Sequence, residues 1–245
     1  MADQHHQRTW TEHGVNAWGV LRPDAKWLLG LPPERADLWS ALIERVSTDL
    51  SAPMLVNTTG DNQVERDSLS AAGFVAHRSE ELWRIPVAEL ANRSVEATFH
   101  RLVPLDRCEL LRVVELDNAV RADIPGSESW HGTLDDFTAS MADDEFDPEL
   151  YLIAEHPRTG SYDGLIRVWN RVPSPRLGCL GVRPRWRRTR LPVALISAAA
   201  TVLSLRGVTH VITETDVLNS GSHLMAARRG ASVGTMTEWE RSARV

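Results

Sequence analysis

The feature of this sequence that most constrains its fold is a weak internal repeat, in which two distant segments show the same order of expected elements. In the first segment, residues 26–31 (KWLLGL) have the composition of a strand, and two prolines then open a helix with apolar positions at helical spacing. A strand at residues 54–59 (MLVNTT), a short helix ending at Gly73 and a strand through Trp83 complete the segment.

The second segment shows this order again near the C-terminus. Residues 177–182 (LGCLGV) predict a strand, and a basic turn leads into the helix LPVALISAAATVLSL, which stops at Gly207. A strand rich in β-branched residues (210–215), a short helix ending at Gly230 and a strand through Trp239 follow. We interpret the two segments as a degenerate repeat, with chance similarity as the alternative.

Only the second segment is preceded by further predicted elements. Residues 98–103 are a candidate strand, residues 107–122 have helical periodicity, and an acidic, irregular stretch follows. A hairpin is expected from residues 151–155 and 165–169, around a turn rich in glycine and proline. With a linker near residues 91–96, the sequence predicts a partial domain at residues 1–92 and a complete domain at residues 97–245.

The composition is that of a globular protein rather than a membrane protein or a secreted disulfide scaffold. The 245 residues are 42% hydrophobic, and no apolar run approaches the ~20 residues of a membrane span. The polar N-terminus lacks the apolar core of a signal peptide, so a cytoplasmic location without membrane association is expected. Cys108 and Cys179 form no CxxC motif, and neither they nor His5 and His6 predict a metal site.

Charge is distributed unevenly along the chain, whose net charge is −6. Residues 106–149 contain 13 acidic and three basic side chains, whereas five of the eight residues 183–190 are arginine. Lys26 is the one lysine among the 27 basic residues, a bias that we attribute to a high-GC coding preference rather than to ligand binding. Nucleic-acid binding is the least favoured hypothesis, because the whole chain is acidic and shows no recognition-helix pattern.

In its order of elements the chain resembles the GCN5-related N-acetyltransferase (GNAT) family over residues 98–245. The motif positions that carry the resemblance are Val182-Arg183-Pro184 at a strand end, Arg187 in the following loop, and Glu214 and Asn219 downstream. The resemblance implies an α+β fold with a central mixed, mostly antiparallel sheet flanked by helices. Residues 1–90 resemble only the latter half of such a fold, so the whole is similar to a tandem GNAT with a truncated, inactive first copy.

The resemblance also implies acetyl-CoA as co-substrate, with its pyrophosphate at the loop before the long helix. The residues that it assigns to this ligand are Leu180, Gly181, Val182, Arg187, Arg188, Thr189, Arg190, Leu191, Val193 and Asn219. Two positions depart from the family pattern, since Arg190 replaces a glycine that permits close backbone approach and Pro192 offers no N–H. The loop arginines could pair with phosphates instead, and the alternative is a solvated arginine-rich turn.

Amine acetylation needs a base for the amine, donors for the thioester carbonyl and a proton for the leaving thiolate. Backbone N–H groups around Leu180 and Val182 are expected to polarise the carbonyl. Glu214 is the predicted base, directly or through water, with a salt-bridged strand carboxylate as the alternative. Ala226 occupies the position where the family often has a tyrosine as general acid, so Ser222 and His223 are the candidate acids.

In the family that the chain resembles, the region between the first strand and the hairpin forms the acceptor wall. The side chains predicted to bind an acceptor are Asp117, Asp123, Glu128, Trp130 and Trp169. An acidic, partly aromatic wall favours a cationic acceptor, with a solvated acidic loop as the alternative.

Two functional hypotheses follow from these residues. The first is an acetyl-CoA-dependent N-acetyltransferase acting on a primary amine of a small cationic molecule, such as a polyamine or an aminoglycoside-like antibiotic. The second is a non-catalytic GNAT-like module that binds an acyl-CoA or a partner. A monomer or a homodimer is expected in either case.

Overall fold

The computed structural model describes residues 7–91 and 99–243. These residues form two compact units, one extending to Glu81 and resuming at Gly234, the other spanning Leu82–Val233. The predicted domains, residues 1–92 and 97–245, instead divide the chain near the predicted linker, most of which lies outside the described residues. The division into a partial and a complete copy stays a prediction.

The predicted elements are present, with additions at the N-terminus and in the acidic stretch. The strands are β1 (Gln7–Glu12), β2 (Val15–Leu21), β3 (Trp27–Gly30), β4 (Met54–Thr59), β5 (Val75–Pro86), β6 (Arg101–Pro104), β7 (Tyr151–Glu155), β8 (Tyr162–Trp169), β9 (Arg176–Val182), β10 (His210–Asp216) and β11 (Ala231–Arg241). The helices are α1 (Trp39–Asp49), α2 (Gln63–Ala71), α3 (Val87–Leu90), α4 (Leu110–Arg121), α5 (Leu134–Met141), α6 (Leu191–Leu205) and α7 (Ser220–Ala227).

In the first unit, β1, β2, β3 and β4 pair in that order, and the C-terminal part of β11 pairs antiparallel with β4. The β1–β2 hairpin is absent from the sequence prediction. Its two-residue turn is formed by His13 (φ 48°) and Gly14 (φ 74°), both in the left-handed region. Such a turn matches the twist of the flanking strands, and the His-Gly pair was a weaker signal for it than Asn-Gly.

Tryptophans dominate the core of the first unit. Trp10, Trp27 and Trp39 are 4%, 5% and 2% exposed, and the rings of Trp10 and Trp27 meet edge to face at 5.9 Å. The indole N–H of Trp39 donates to the carbonyl of Pro32 at 2.8 Å, so the polar edge of this ring is satisfied where α1 begins. The apolar side of α1 therefore packs on a core in which tryptophan rings lie among aliphatic side chains.

In the second unit, β6, β7, β8 and β9 form consecutive antiparallel pairs, and β10 lies parallel to β9. Side chains alternate between the two faces of these strands. Ile166 and Leu177 pack with α6 on one face, whereas Leu165 and Cys179 pack with α4 and α5 on the other. The predicted α+β fold, a mixed and mostly antiparallel sheet flanked by helices, is confirmed.

The acidic stretch contains a helix that the sequence analysis treats as irregular. Helix α5 starts at a capping box, in which the Thr133 hydroxyl accepts the Asp136 N–H at 3.2 Å and the Asp136 carboxylate accepts the Thr133 N–H at 2.8 Å. The spacing Thr-x-x-Asp is a recognised helix-start signal in the sequence. The helix was missed because only one of its side chains, Phe137, is buried.

Equivalent positions of the repeat make equivalent hydrogen bonds in the two units. In the second unit the indole of Trp83 donates to the Thr215 hydroxyl at 2.7 Å. In the first unit the indole of Trp239 donates to the Thr58 hydroxyl at 3.0 Å. All four residues are at most 8% exposed. This correspondence supports the repeat, and it shows that each unit contains the C-terminal part of the last strand of the other repeat segment.

Gly230, just before β11, lies against the backbone of β5. A Cβ atom at this position would lie 2.7 Å from the Arg84 carbonyl oxygen and 2.7 Å from Cγ1 of Ile85. We expect Gly230→Ala to lower the free energy of unfolding by about 1–3 kcal/mol, because the backbone of β5 must move to admit the methyl group. Urea-induced unfolding measures this change.

Gly221→Ala is the matched control for this substitution. A Cβ atom there meets nothing closer than 3.9 Å, and alanine is favoured over glycine in a helix such as α7. The control should leave stability unchanged or raise it by up to about 1 kcal/mol. Equal losses for the two variants would contradict the close approach at Gly230.

A buried carboxylate fixes the turn that follows β9. Asp163 is fully buried; its carboxylate lies 3.0 Å from Nε2 of His100 and accepts from Arg185 at 2.5 Å. Its backbone carbonyl accepts the Arg183 N–H at 2.8 Å. Burial acts to raise the pKa of Asp163, but the hydrogen bonds from His100 and Arg185 outweigh it and leave the pKa below its ordinary value. The turn is therefore tied to the start of β8.

Asp163→Asn should lower the free energy of unfolding at neutral pH by about 1–3 kcal/mol, because His100 and Arg185 lose a charged acceptor. Because the folded-state pKa is depressed, the contribution of Asp163 is complete above the ordinary aspartate pKa of about 4. It is lost as the pH falls through the lower folded-state value. Urea unfolding of both proteins across this range should show the difference shrinking, whereas a constant difference would contradict the assignment.

Candidate active site

Strands β9 and β10 are in register at one pair of residues and then diverge. The pair is Arg176 with Ile212, and the Ile212 N–H donates to the Pro175 carbonyl at 2.9 Å. Beyond this point a cavity of about 360 Å³ opens between the end of β9 and the segment that follows β10. Its walls are formed by Val120, Asp123, Ile124, Leu180, Gly181, Val182, Arg187, Pro192, Asn219, Gly221, Ser222 and Met225. We call this cavity the cleft.

Some backbone N–H groups between β9 and α6 already form hydrogen bonds within this loop. The Thr189 N–H donates to the Trp186 carbonyl at 3.1 Å, and the Leu191 N–H donates to the Thr189 hydroxyl at 3.2 Å. Pro192 has no N–H to offer. Among the first residues of α6, Val193 therefore supplies the remaining backbone donor, and its side chain is 36% exposed. An anion at this helix start would meet fewer backbone donors than the family pattern provides.

The five arginines of residues 183–190 divide into three groups. Arg183 donates to the Tyr162 carbonyl at 2.9 Å, and Arg185 is bound by Asp163, so both have structural partners. Arg187 lines the cleft and forms an ion pair there with Asp123. Arg188 and Arg190 are exposed at the start of α6. Two arginines are thus available to a bound anion, and a third would first have to release Asp123.

Other residues assigned to the CoA ligand also have structural contacts. The side chain of Asn219 caps α7 by accepting the Ser222 N–H at 3.3 Å, and Asn219 lines the cleft. Leu191 is 2% exposed and belongs to the core beneath α6. Of the ten predicted residues, the five that line the cleft are Leu180, Gly181, Val182, Arg187 and Asn219.

The predicted base, Glu214, is held in an ion pair. Nε of Arg176 lies 2.8 Å and 3.0 Å from the two carboxylate oxygens, and Glu214 is not among the residues that line the cleft. This is the geometry of the alternative interpretation, a salt-bridged strand carboxylate. A role as base then requires a water between Glu214 and the amine, or rearrangement of the pair.

The two candidate acids differ in their placement. Ser222 lines the cleft. His223 lies 3.4 Å through Nδ1 from the Thr215 hydroxyl, and its ring meets Trp83 edge to face at 5.3 Å. Ala226, at the usual tyrosine position, is fully buried in the core shared with α6. Ser222 is therefore the better placed of the two acids.

The predicted acceptor residues are mostly neutralised or stacked. Asp117 accepts from Arg121 at 2.7 Å, and the Arg121 guanidinium lies over the Trp130 ring at 4.2 Å. The Arg167 guanidinium lies over the Trp169 ring at 4.8 Å. Asp123 forms the ion pair with Arg187 in the cleft, and Glu128 is exposed and accepts the Gly126 N–H at 3.1 Å.

Several residues at the site are absent from the sequence prediction. Val120, Ile124, Gly221 and Met225 line the cleft, but apolar periodicity indicates burial and not contact with a ligand. Arg121, Arg167 and Arg176 surround the predicted acceptor wall. For Arg167 a signal exists, since it is a charged residue between the apolar Ile166 and Val168 in a predicted strand.

Comparison with solved structures finds this fold in GCN5-related N-acetyltransferases. One from Sphaerobacter thermophilus matches with a TM-score of 0.70 at 16% identity, over 94% of this chain and 77% of that one. A tandem GNAT protein from the clavulanic acid biosynthesis pathway gives 0.64 at 14% identity, over 98% and 85%. One from Kribbella flavida gives 0.63 at 12% identity, over 96% and 89%.

No protein-family model and no curated protein matches the sequence. At these identities the solved structures establish the architecture. The chain has the fold of the GCN5-related N-acetyltransferases, as the sequence resemblance predicts.

Proposed function

We propose that this protein is an acetyl-CoA-dependent N-acetyltransferase that acts on a primary amine of a small molecule. The observation that carries the proposal is the cleft between the end of β9 and the segment that follows β10, which opens where α6 begins. Within the GNAT fold this arrangement offers strand backbone to an acyl group and a helix start to an anion at the same cavity. Acetyl-CoA has both groups.

Backbone groups of β9 would hold the acyl end of the donor. Alternate N–H and C=O groups of a strand point to each neighbouring strand. Beyond Arg176 the side of β9 that faces β10 has lost its partner. The Arg183 N–H points to β8, so by alternation the N–H groups of Leu180 and Val182 would face the cleft, which both residues line. A thioester carbonyl bound there would be polarised by fixed donors, and the same donors would stabilise the oxyanion of the tetrahedral intermediate.

Arginine side chains would replace the missing backbone donors at the pyrophosphate. Arg188 and Arg190 stand exposed at the start of α6, where the helix dipole also favours an anion. Guanidinium groups bind phosphate oxygens through paired N–H donors. The ion pair between Arg187 and Asp123 would have to open before Arg187 could join them.

The reaction moves one proton from the amine and delivers one to the departing thiolate. We assign the acid role to Ser222, which lines the cleft, and the base role to Glu214 acting through water. His223 has a structural hydrogen bond and ring contact and remains a second candidate acid. Water can also protonate a thiolate, so a buried alanine at position 226 is compatible with turnover.

The acceptor of the proposed enzyme is predicted from the sequence to be cationic, with aminoglycoside-like antibiotics among the candidates. Asp117 and Asp123 each already accept from an arginine, which offsets part of the negative charge behind that prediction. A monomer or homodimer and a cytoplasmic location also stay predictions. Among the described residues, no helix has the length and apolar character needed to cross a membrane.

A non-catalytic acyl-CoA-binding module is the second candidate function. The ion pair of Arg187 and Asp123 within the cleft, the engagement of Glu214 by Arg176, and the lost N–H at Pro192 favour it. The two candidates share the donor site and differ only in acetyl transfer.

Replacing Arg188 and Arg190 together by alanine should raise the Kd for acetyl-CoA roughly tenfold or more, since a hydrogen bond to a charged group contributes about 1.5–3 kcal/mol. Isothermal titration calorimetry measures this directly, and the effect should weaken at high salt. Arg107→Ala removes an exposed arginine on another element and is the matched control. Unchanged affinity in the double variant would contradict the proposed pyrophosphate site.

Glu214→Gln should reduce kcat for acetyl transfer to amines by about 10²–10⁴-fold if Glu214 is the base. Thiol release from acetyl-CoA with a panel of amines, including aminoglycosides, provides the measurement. Arg176→Gln breaks the same ion pair but keeps the carboxylate, so it separates chemistry from folding. Equal losses in the two variants would show that the pair is structural, and no turnover with any amine would favour the binding module.

A further inference from the structure

A group of charged and polar side chains lies beside the cleft, on the face of the sheet that packs against α4 and α5. We call it the Arg167 cluster; its members are Asp117, Arg121, Tyr151, Arg167, Arg176 and Glu214. Its members are not among the residues that line the cleft, but two chain neighbours connect it to the cleft wall: Arg121 follows Val120, and Cys179, which packs on the same face, precedes Leu180. The Cys179 thiol lies within electrostatic range of four charged members of the cluster, Arg121, Asp117, Arg167 and Arg176.

The cluster contains three arginines but two carboxylates, so one positive charge has no carboxylate within the cluster to neutralise it. Asp117 is paired with Arg121 at 2.7 Å, and Glu214 is paired with Arg176 at 2.8 Å. Arg167 has no carboxylate partner among the residues that the structure describes. A partly buried guanidinium without a counter-ion is unfavourable, since desolvation is not compensated by an ion pair.

Three polar atoms of the cluster are buried without a hydrogen-bond partner in the described part of the chain. They are Nε of Arg167, the hydroxyl of Tyr151 and Oδ1 of Asp117. Tyr151 is 1% exposed, and burial raises the pKa of its hydroxyl well above the ordinary value, so the O–H remains a donor. Buried polar groups are normally hydrogen-bonded, and exceptions mark places where a water or a ligand completes the site.

The unsatisfied donors of Arg167 and Tyr151 come from neighbouring strands. The two residues face each other in the β7–β8 ladder, and the guanidinium lies over the Tyr151 ring at 5.6 Å and over the Trp169 ring at 4.8 Å. Contact with two rings restricts where the guanidinium can lie. A guanidinium fork with an adjacent hydroxyl suits a small planar anion, and a carboxylate accepts two parallel N–H bonds from such a fork.

We propose that the Arg167 cluster binds a carboxylate of the acceptor, so that the substrate is an amine that also carries a carboxylate group, as an amino acid does. This inference rests on the proposed acetyl transfer and names the acceptor class for the same site. A single carboxylate cancels the single surplus charge, whereas a phosphate dianion would leave one charge uncompensated.

The position of Arg167 also limits the size of the acceptor. Arg167 faces Cys179 in the β8–β9 ladder. Cys179 immediately precedes Leu180, which is part of the cleft wall. Neighbouring strands lie about 4.8 Å apart, so the carboxylate site and the acyl site are separated by little more than one strand and a side chain. A compact amino acid spans that separation, and the ring of Trp169 beside the guanidinium favours an aromatic or apolar side chain.

The test compares amines that differ only in the carboxylate. Thiol release from acetyl-CoA is measured with tryptophan and tryptamine, tyrosine and tyramine, and β-alanine and ethylamine. We expect at least one carboxylate-bearing member to be preferred by about 30-fold or more in kcat/KM, the effect expected for losing one partner of a buried hydrogen-bonded charge pair. A preference for the amines without a carboxylate, or turnover of polyamines and aminoglycosides alone, overturns the inference and leaves acetyl transfer standing.

Arg167→Met removes the fork and should abolish this preference through a higher KM, while Arg167→Lys retains part of it. Arg171→Met is the matched control, because Arg171 is exposed and pairs with Glu145. Retention of the preference in Arg167→Met contradicts the assignment.

Thermal unfolding separates binding from a structural role. Because Arg167→Met removes an uncompensated charge, its Tm should not fall below that of Arg171→Met.

If Arg167→Met does not fold, Tyr151→Phe, which deletes only the hydroxyl, should reduce the same preference. A change confined to Tm, with the preference intact, overturns the inference. Failure of acetyl-CoA to bind the wild-type protein instead rejects the proposed function itself.

Discussion

The divergence of β9 from β10 is the constraint on which the candidate site depends, and it follows from where β10 is held. On the side away from β9, the indole of Trp83 donates to Thr215, and the Val87 N–H donates to the Thr209 carbonyl. On the other side, β9 keeps one registered pair with β10 before the strands separate. Because β9 is fixed along its length by β8, neither strand can close the gap. The cleft is a consequence of this unequal pairing.

Much of the fold was accessible from the sequence because its elements have strong local signals. The helix α6 has continuous apolar positions and a terminal Gly207, and the strands β7, β8 and β10 have β-branched or alternating patterns. The β1–β2 hairpin and α5 lacked such signals, since the first has a His-Gly turn and the second buries one side chain. The exchange of final strands between units has no local signature at all, because it depends on contacts between residues more than 130 positions apart.

Less of the candidate site could be predicted, because arginines neutralise several of its carboxylates. Val182, Arg187, Asn219 and Ser222 were expected at the cleft and line it. The sequence gives charges but not partners, so it could not reveal that Glu214 is bound by Arg176, or that Asp117 and Asp123 each meet an arginine. Once those pairs are formed, the acidic stretch loses much of its negative character. Within the Arg167 cluster, Arg167 is left without a carboxylate partner among the residues that the structure describes, which counting along the chain cannot show.

The interleaving of the two units has a consequence for how such a chain can vary. Each unit contains the C-terminal part of the last strand of the other repeat segment, with Trp83 bound to Thr215 and Trp239 bound to Thr58. A gene fragment encoding either segment alone would therefore lack the strand that completes its own core. Even if the first segment has no chemistry of its own, we expect that it cannot be deleted or exchanged alone without removing part of the core of the second unit. Its retention is explained by architecture, without any requirement for a second active site.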